Sequence, residues 1–272
     1  MKDFLKLMTV SASTGLLFAL MLSACQRTGI DNALNGELSS DNSRAEFVSD
    51  DAENMANAAV LGIPGFLIKE NHIGSCAVVT NDTINHVVTI DFGTVNCECM
   101  DGRMRRGKII INYSGHYFDV GSVKNFSFDN YFVDDNHIEG TRVVTNLGVN
   151  GAGNFHWSVI SNLTITKPDG RTMNWSRAGD REMIAGAGTE TIWDDEYAIT
   201  GTASGTRGDG NSFTATITSA LHRSLSCHFI TSGTIEITPA NHPPLTIDFG
   251  NGNCDALATI TCNGHSHEIQ LH

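Results

Sequence analysis

From about residue 74 to the C-terminus, apolar and polar side chains alternate with a period of two. In FHWSVISNLTIT, Phe155, Trp157, Val159, Leu163 and Ile165 fall on one phase, and His156, Ser158, Asn162 and Thr164 on the other. The same alternation recurs in SFTATIT (Phe213, Ala215, Ile217) and in CHFITSGTIEIT (Cys227, Phe229, Ile235, Ile237). Successive strand side chains point to opposite faces, so this pattern predicts antiparallel strands with one face in a core and the other in water. Turn residues punctuate the strands at Asn150-Gly151, Pro168-Asp169-Gly170 and Gly208-Asp209-Gly210-Asn211. After residue 62 no segment has the length and period of a helix. The fold class predicted is all-β: an antiparallel, sandwich-like arrangement of many short strands and hairpins, roughly a dozen in number.

The N-terminus follows a different rule. MKDFLKLMTVSASTGLLFALMLSAC places Lys2 and Lys6 before an apolar run from Leu7 to Leu22, and Leu22-Ser23-Ala24-Cys25 fits the bacterial lipobox. Residues 1–24 read as a lipoprotein signal peptide and Cys25 as the lipidation site, the new N-terminus after cleavage. Residues 25–50 are polar and acidic with no apolar period, which predicts a lipidated cysteine followed by a flexible tether. Residues 51–73 read as a short helix or linker, capped by Ser49 or Asp50, and residues 74–272 as the β domain.

Charge then narrows the partners. The full chain carries a formal −13, and loss of residues 1–24, with Lys2, Lys6 and Asp3, leaves −14. Nucleic-acid phosphates require a basic footprint, so nucleic acid is not an expected partner. Past the signal no apolar run reaches the ~20 residues of a spanning helix, which makes the lipid the expected membrane partner. The ligand is left open.

One motif is written twice. Thr89–Cys97 reads TIDFGTVNC and Thr246–Cys254 reads TIDFGNGNC. Each copy has a cysteine upstream, Cys76 or Cys227, and another downstream, Cys99 or Cys262. The segments 76–115 and 227–272 therefore form a pseudo-repeat. In each, Ile90 and Phe92, or Ile247 and Phe249, face the core, and Gly93 or Gly250 permits a positive φ or a bulge where the strand ends. With Cys25 assigned to lipid, six cysteines remain in an exported chain, an even number in an oxidising compartment. A hairpin turning at Ala240-Asn241 sets opposite one another residues whose numbers sum to 481, which predicts a Cys227–Cys254 disulfide. The same arithmetic fails for Cys76 and Cys97, so the first copy's pairing stays open among Cys76, Cys97, Cys99 and Cys262.

Candidate chemistry is sparse. Asp134-Asp135 and Asp194-Asp195 could serve as paired acids on a glycan, with Trp157, Trp175 and Trp193 as a stacking platform. Turn chemistry and strand core explain the same residues more simply. His265 and His267 share one face of a strand, with His242 and His272 as neighbours to consider, and could hold a metal, although a solvent-facing polar strand gives the same pattern. Serine-nucleophile, HExxH and P-loop motifs are absent, so no catalytic residue and no cofactor is assigned.

The strings VVTIDFG, GKIIINYSG, FDNYFVDDNHIEGTRVVTN, PDGRTMNW, DDEYAITGTASGT and SLSCHFITSGTIEITP carry a resemblance from about Cys76 to the C-terminus. In them the chain resembles an abundant group of uncharacterised outer-membrane lipoproteins of Bacteroidota. The resemblance implies a lipid-anchored (palmitate-bearing) envelope protein and brings no activity, cofactor or catalytic residue with it. The first expectation is a non-enzymatic protein with a binding or structural role at the outer membrane. The alternatives are a carbohydrate-binding or glycan-cleaving surface lipoprotein and a metal-binding module.

Overall fold

The computed structural model describes residues 37–56, 76–99, 102–189, 191, 193–227, 229–240 and 242–271. Cys25, the signal segment and His272 lie outside these. The strands are β1 (Val78–Asp82), β2 (Val87–Asp91), β3 (Cys97–Glu98), β4 (Met104–Tyr113), β5 (Val123–Val133), β6 (Asn136–Val149) and β7 (Phe155–Thr166). They continue with β8 (Thr172–Ala185), β9 (Glu196–Arg207), β10 (Ser212–Ser224), β11 (Ile230–Pro239), β12 (Leu245–Asn251), β13 (Leu257–Cys262) and β14 (His265–Gln270). All fourteen join one antiparallel sheet whose hydrogen-bonded order follows the chain, with the two-residue β3 beside β4. The fold is all-β and antiparallel as the alternation predicts. The strands do not divide into two facing sheets, because each hairpin pairs with the next and the meander never breaks.

What covers the buried face is a helix, α1, over residues 37–56. This corrects the reading of residues 25–50 as tether, and of a helix beginning only near residue 51: the part of that tether from 37 onward is helical and largely buried. Leu38, Ala45, Val48, Ala52 and Ala56 are all buried, at steps of seven, three, four and four residues, which is a helical stripe. Ser39, Asp41, Glu46, Asp51 and Glu53 are buried beside that stripe, so the segment as a whole reads as polar. Segments rich in Ser, Asp and Asn have poor intrinsic helicity, so α1 depends on what surrounds it. Its surroundings are the inward side chains of the sheet.

Those inward positions are not uniformly apolar. Ile90, Ile109, Ile111, Phe126, Val159, Ile237 and Ile247 are buried, and so are Arg105, Arg142, Arg177 and Arg181. Each arginine meets a carboxylate of α1: Arg105 with Asp51 at 2.7 Å, Arg142 with Glu53 at 2.6 Å, Arg177 with Glu46 at 3.2 Å and Arg181 with Glu53 at 3.5 Å. Arg207 and Lys167 grip Asp41 near the helix start. Val133 of β5 and Ile269 of β14, nine places apart in the sheet order, line one cleft beside α1. The sheet is therefore curled around the helix. Among the described residues no helix is long and apolar enough to cross a membrane.

The repeated motif sits near both margins of the sheet, in β1–β2 and β11–β12. In both copies the Asp side chain accepts a 2.9 Å hydrogen bond from the Gly amide two residues on, Asp91 from Gly93 and Asp248 from Gly250. Gly93 (φ 78°) and Gly250 (φ 89°) then turn through the left-handed region, as the motif predicts. Four residues later each chain reaches its disulfide: Cys76–Cys97, Cα–Cα 5.5 Å, and Cys227–Cys254, Cα–Cα 5.8 Å. Both bonds tie the segment leading into a hairpin to chain beyond its second strand, Cys97 at the start of β3 and Cys254 in the loop after β12. Closing loops of this length stabilises by about 3 kcal/mol each. Cys99 and Cys262 belong to neither.

The Cys227–Cys254 pair is as predicted, but the register that led to it is not. Ile235 faces Ile247 rather than Thr246, and Ser232 faces Asn251 after an irregularity at Gly233. Residues 240–244, containing Pro243 and Pro244, join the strands in place of a two-residue turn, and the cysteines lie outside the ladder. In the first copy, Cys97 also lies past the end of the ladder, where the chain returns to pair with β4, which is why hairpin arithmetic missed it.

Candidate binding cleft

Along one side of α1 the sheet stands away and leaves a cleft of about 480 Å³, within the range of small-molecule sites. Its apolar wall is built by Phe47 and Val48 of α1 with Val133, Phe249, Ile269 and Leu271. Phe249 belongs to the repeated motif. The period-two rule that buries Ile247 also carries Phe249 inward, and β14 then brings Ile269 and Leu271 alongside.

The charged wall comes from Arg44, Glu46 and Asp50 of α1 with Arg103, Asp134 and Arg223. The three carboxylates facing the cleft already have guanidinium partners. Asp134 takes Arg103 at 2.6 Å, Glu46 takes Arg177 at 3.2 Å and Asp50 lies 3.6 Å from Arg142. Arg103 also lies over the Phe47 ring, 3.7 Å from its centroid. Burial pushes the Glu46 carboxyl above its ordinary range, with Arg177 opposing and Asp50 reinforcing. Burial lowers the Arg223 guanidinium, and Asp50 and Asp51 work against that.

Arg44 differs from Arg103 in its partner. Its terminal nitrogen donates to Asn136 Oδ1 at 3.0 Å, a neutral amide held in turn by the carbonyls of Val133 and Asp134. Arg44 Nε is buried with no hydrogen-bond partner among the described residues. The cleft thus has an apolar wall and, in Arg44, a guanidinium whose hydrogen-bond partner is an amide and not a carboxylate.

The residues nominated from sequence lie elsewhere or are engaged. Asp134 and Asp135 form the β5–β6 turn, both with positive φ. Arg103 and the Met104 amide bind Asp134, and Arg106 and Asn96 bind Asp135. Asp194 accepts from the Thr189 hydroxyl at 2.8 Å. Asp195 is buried, accepts from the Tyr197 hydroxyl at 3.1 Å, and is pushed by burial up to about 6. The Asp134 turn is level with the start of β8 and Asp195 with its end. The fourteen residues of β8 are about 40 Å long, so the two acidic clusters are not brought together.

Trp157 and Trp175 are core residues at 1% exposure and Trp193 is 44% exposed, so they form no shared platform. Trp175 donates its indole N–H to Asn42 of α1 at 3.2 Å. His265 and His267 project from the exposed edge strand β14. Among the described residues no group of three or more His, Cys, Asp or Glu is placed to hold a metal ion. Arg44 and the other α1 residues of the cleft were missed because residues 37–50 read as tether. The signal that could have found them is the charge on the inward phase of the strands: Arg177 and Arg181 alternate in step with Met173, Trp175 and Met183, and buried guanidiniums demand buried carboxylates.

Compared with protein-family models, with curated proteins and with solved structures, the chain matches none of them.

Proposed function

We propose that the protein is a lipid-anchored β protein of the bacterial cell envelope, held at the outer membrane through Cys25, with a binding rather than a catalytic role. The observation that carries this reading is the order of charge, apolar run and lipobox that ends at Cys25. The two disulfides, one per copy of the repeat, support an exported chain. The distance from Cys25 to the start of α1 is at most about 40 Å of extended chain, so the β domain works close to the bilayer. A binding role is supported by the cleft, where the carboxylates are held by arginines and an apolar wall stands opposite Arg44.

The test is metabolic labelling with a palmitate analogue followed by membrane fractionation. Wild type is expected to take the label and sediment with outer membranes, and Cys25→Ser to lose the label, to keep residues 1–24 and to leave the outer-membrane fraction. Label retained by Cys25→Ser, or wild type found soluble, contradicts the reading.

A further inference from the structure

We infer that the cleft beside α1 binds a single-chain anionic amphiphile, with the acyl chain along Phe47, Val48, Phe249 and Leu271 and its carboxylate at Arg44. This deepens the binding role proposed above, on which it rests, and does not depend on the lipid anchor.

Each acid of the cleft has a cation within ion-pair distance, although Asp50 Oδ1 accepts no hydrogen bond among the described residues. Asp134, Glu46 and Asp50 are each within ion-pair distance of an arginine: Arg103, Arg177 and Arg142 respectively. A cationic ligand pairing with Asp134 or Glu46 would have to displace an arginine and strand it in a desolvated site, at a cost of several kcal/mol. An anionic ligand meets Arg44, whose bonded partner is the neutral Asn136 amide and whose charge is matched by no carboxylate among the described residues. A carboxylate there completes a charge-assisted pair, the kind of hydrogen bond that gains most in a low dielectric.

The opposite wall sets the rest of the ligand. Val133, Phe249, Ile269 and Leu271 offer a surface with no hydrogen-bonding side chain, and Phe47 is pinned beneath Arg103. A free sugar, whose hydroxyls need partners throughout, would lose hydrogen bonds against that wall. An alkyl chain loses none. A volume of about 480 Å³ admits a medium-length acyl chain and excludes a two-chain phospholipid in full.

The test uses the mature length, residues 25–272 carrying Cys25→Ser, which lacks the apolar run Leu7–Leu22, is purified without detergent and so separates this inference from the question of acylation. Calorimetric titration with dodecanoate and with dodecyltrimethylammonium compares head-group charge at constant chain length. The expected result is one dodecanoate per chain at micromolar affinity, with the cationic amphiphile at least tenfold weaker. Arg44→Gln is expected to weaken dodecanoate about tenfold and leave the cationic amphiphile unchanged, and Leu271→Trp, which fills the apolar end, to abolish both. Circular dichroism checks that each variant folds; if Arg44→Gln does not, the head-group comparison on the Cys25→Ser chain decides. No dodecanoate binding below millimolar concentration, equal affinity for both head groups, or binding that survives Leu271→Trp overturns the inference.

Discussion

Arg105 and Asp51, 54 residues apart in the chain, meet in a two-pronged bond between strand β4 and helix α1. Arg105 donates from one terminal nitrogen to Asp51 Oδ1 at 2.7 Å and from Nε to Oδ2 at 3.3 Å. The Tyr131 hydroxyl donates to the same Oδ2 at 3.3 Å. Arg105 is 0% and Asp51 4% exposed. The pairing of inward arginines with helix acids recurs at Arg142, Arg177, Arg181 and Arg207, so complementary charge as well as apolar contact seats the helix in the curled sheet.

Removing one partner of such a pair leaves the other charge buried and uncompensated, which costs about 3–5 kcal/mol. Asp51→Ala is therefore expected to lower stability by that order, read as a lower urea midpoint. Asp51→Leu combined with Arg105→Met should recover most of the loss, since an apolar pair of similar size has no charge to desolvate. A double variant no better than Asp51→Ala would contradict this.

The interior charges also set the response to acid. Burial alone would raise Glu53, but Lys124, Arg142 and Arg181 outweigh it and hold the carboxyl well below the usual carboxylate range. Because the folded pKa is depressed, the stability Glu53 contributes is complete above its unfolded value near 4.3 and is lost as pH falls toward the folded one. Urea midpoints should fall steeply below about pH 4.5 in wild type. The fall should be shallower in Glu53→Gln, and equal slopes would count against the assignment.

Asp195 has the opposite sign. Burial raises its carboxyl to about 6, with the Tyr197 hydroxyl and Arg181 opposing and Asp194 adding. The fold favours the protonated form, so this contribution to stability is present below about pH 4 and is lost as pH rises through about 6. Asp195→Asn keeps an acceptor for Tyr197 and removes the charge. It is expected to stabilise by about 1–2 kcal/mol at pH 7 and to match wild type near pH 4, as read by thermal melts at the two pH values.

The two motif glycines have open space where a Cβ would stand, but a backbone that L-residues avoid. Gly93→Ala and Gly250→Ala should each cost about 1–2 kcal/mol in chemical denaturation, with Gly→Asn milder than Gly→Ala because Asn tolerates positive φ. Equal cost for Ala and Asn at both positions would show that space, not φ, selects glycine.

The strands and their inward faces were legible because each strand repeats the same two-residue choice many times, as in Met173, Trp175 and Met183 or Ile235 and Ile237. The Cys227–Cys254 pair was legible because it closes a local hairpin. Helix α1 was not, because its buried face is written in Ala, Ser, Asp and Glu, which report a helix core only when the arginines opposite them are known to point inward. Arg105 and Asp51 each look like a surface residue alone. Their burial is a property of the pair, and no single stretch of chain contains it. The Arg44 cleft was hidden for the same reason.

Hydrogen exchange at the backbone amides of residues 37–56 tests most directly whether the acidic helix is part of the folded core. If arginine-lined strands enclose it, those amides should exchange slowly and together with the central strands β6–β8, and Asp51→Ala should accelerate them first. Exchange across 37–56 at the rate of an unstructured peptide, with β6–β8 still protected, would show that the segment is a tether and that the interior arginines are matched in some other way.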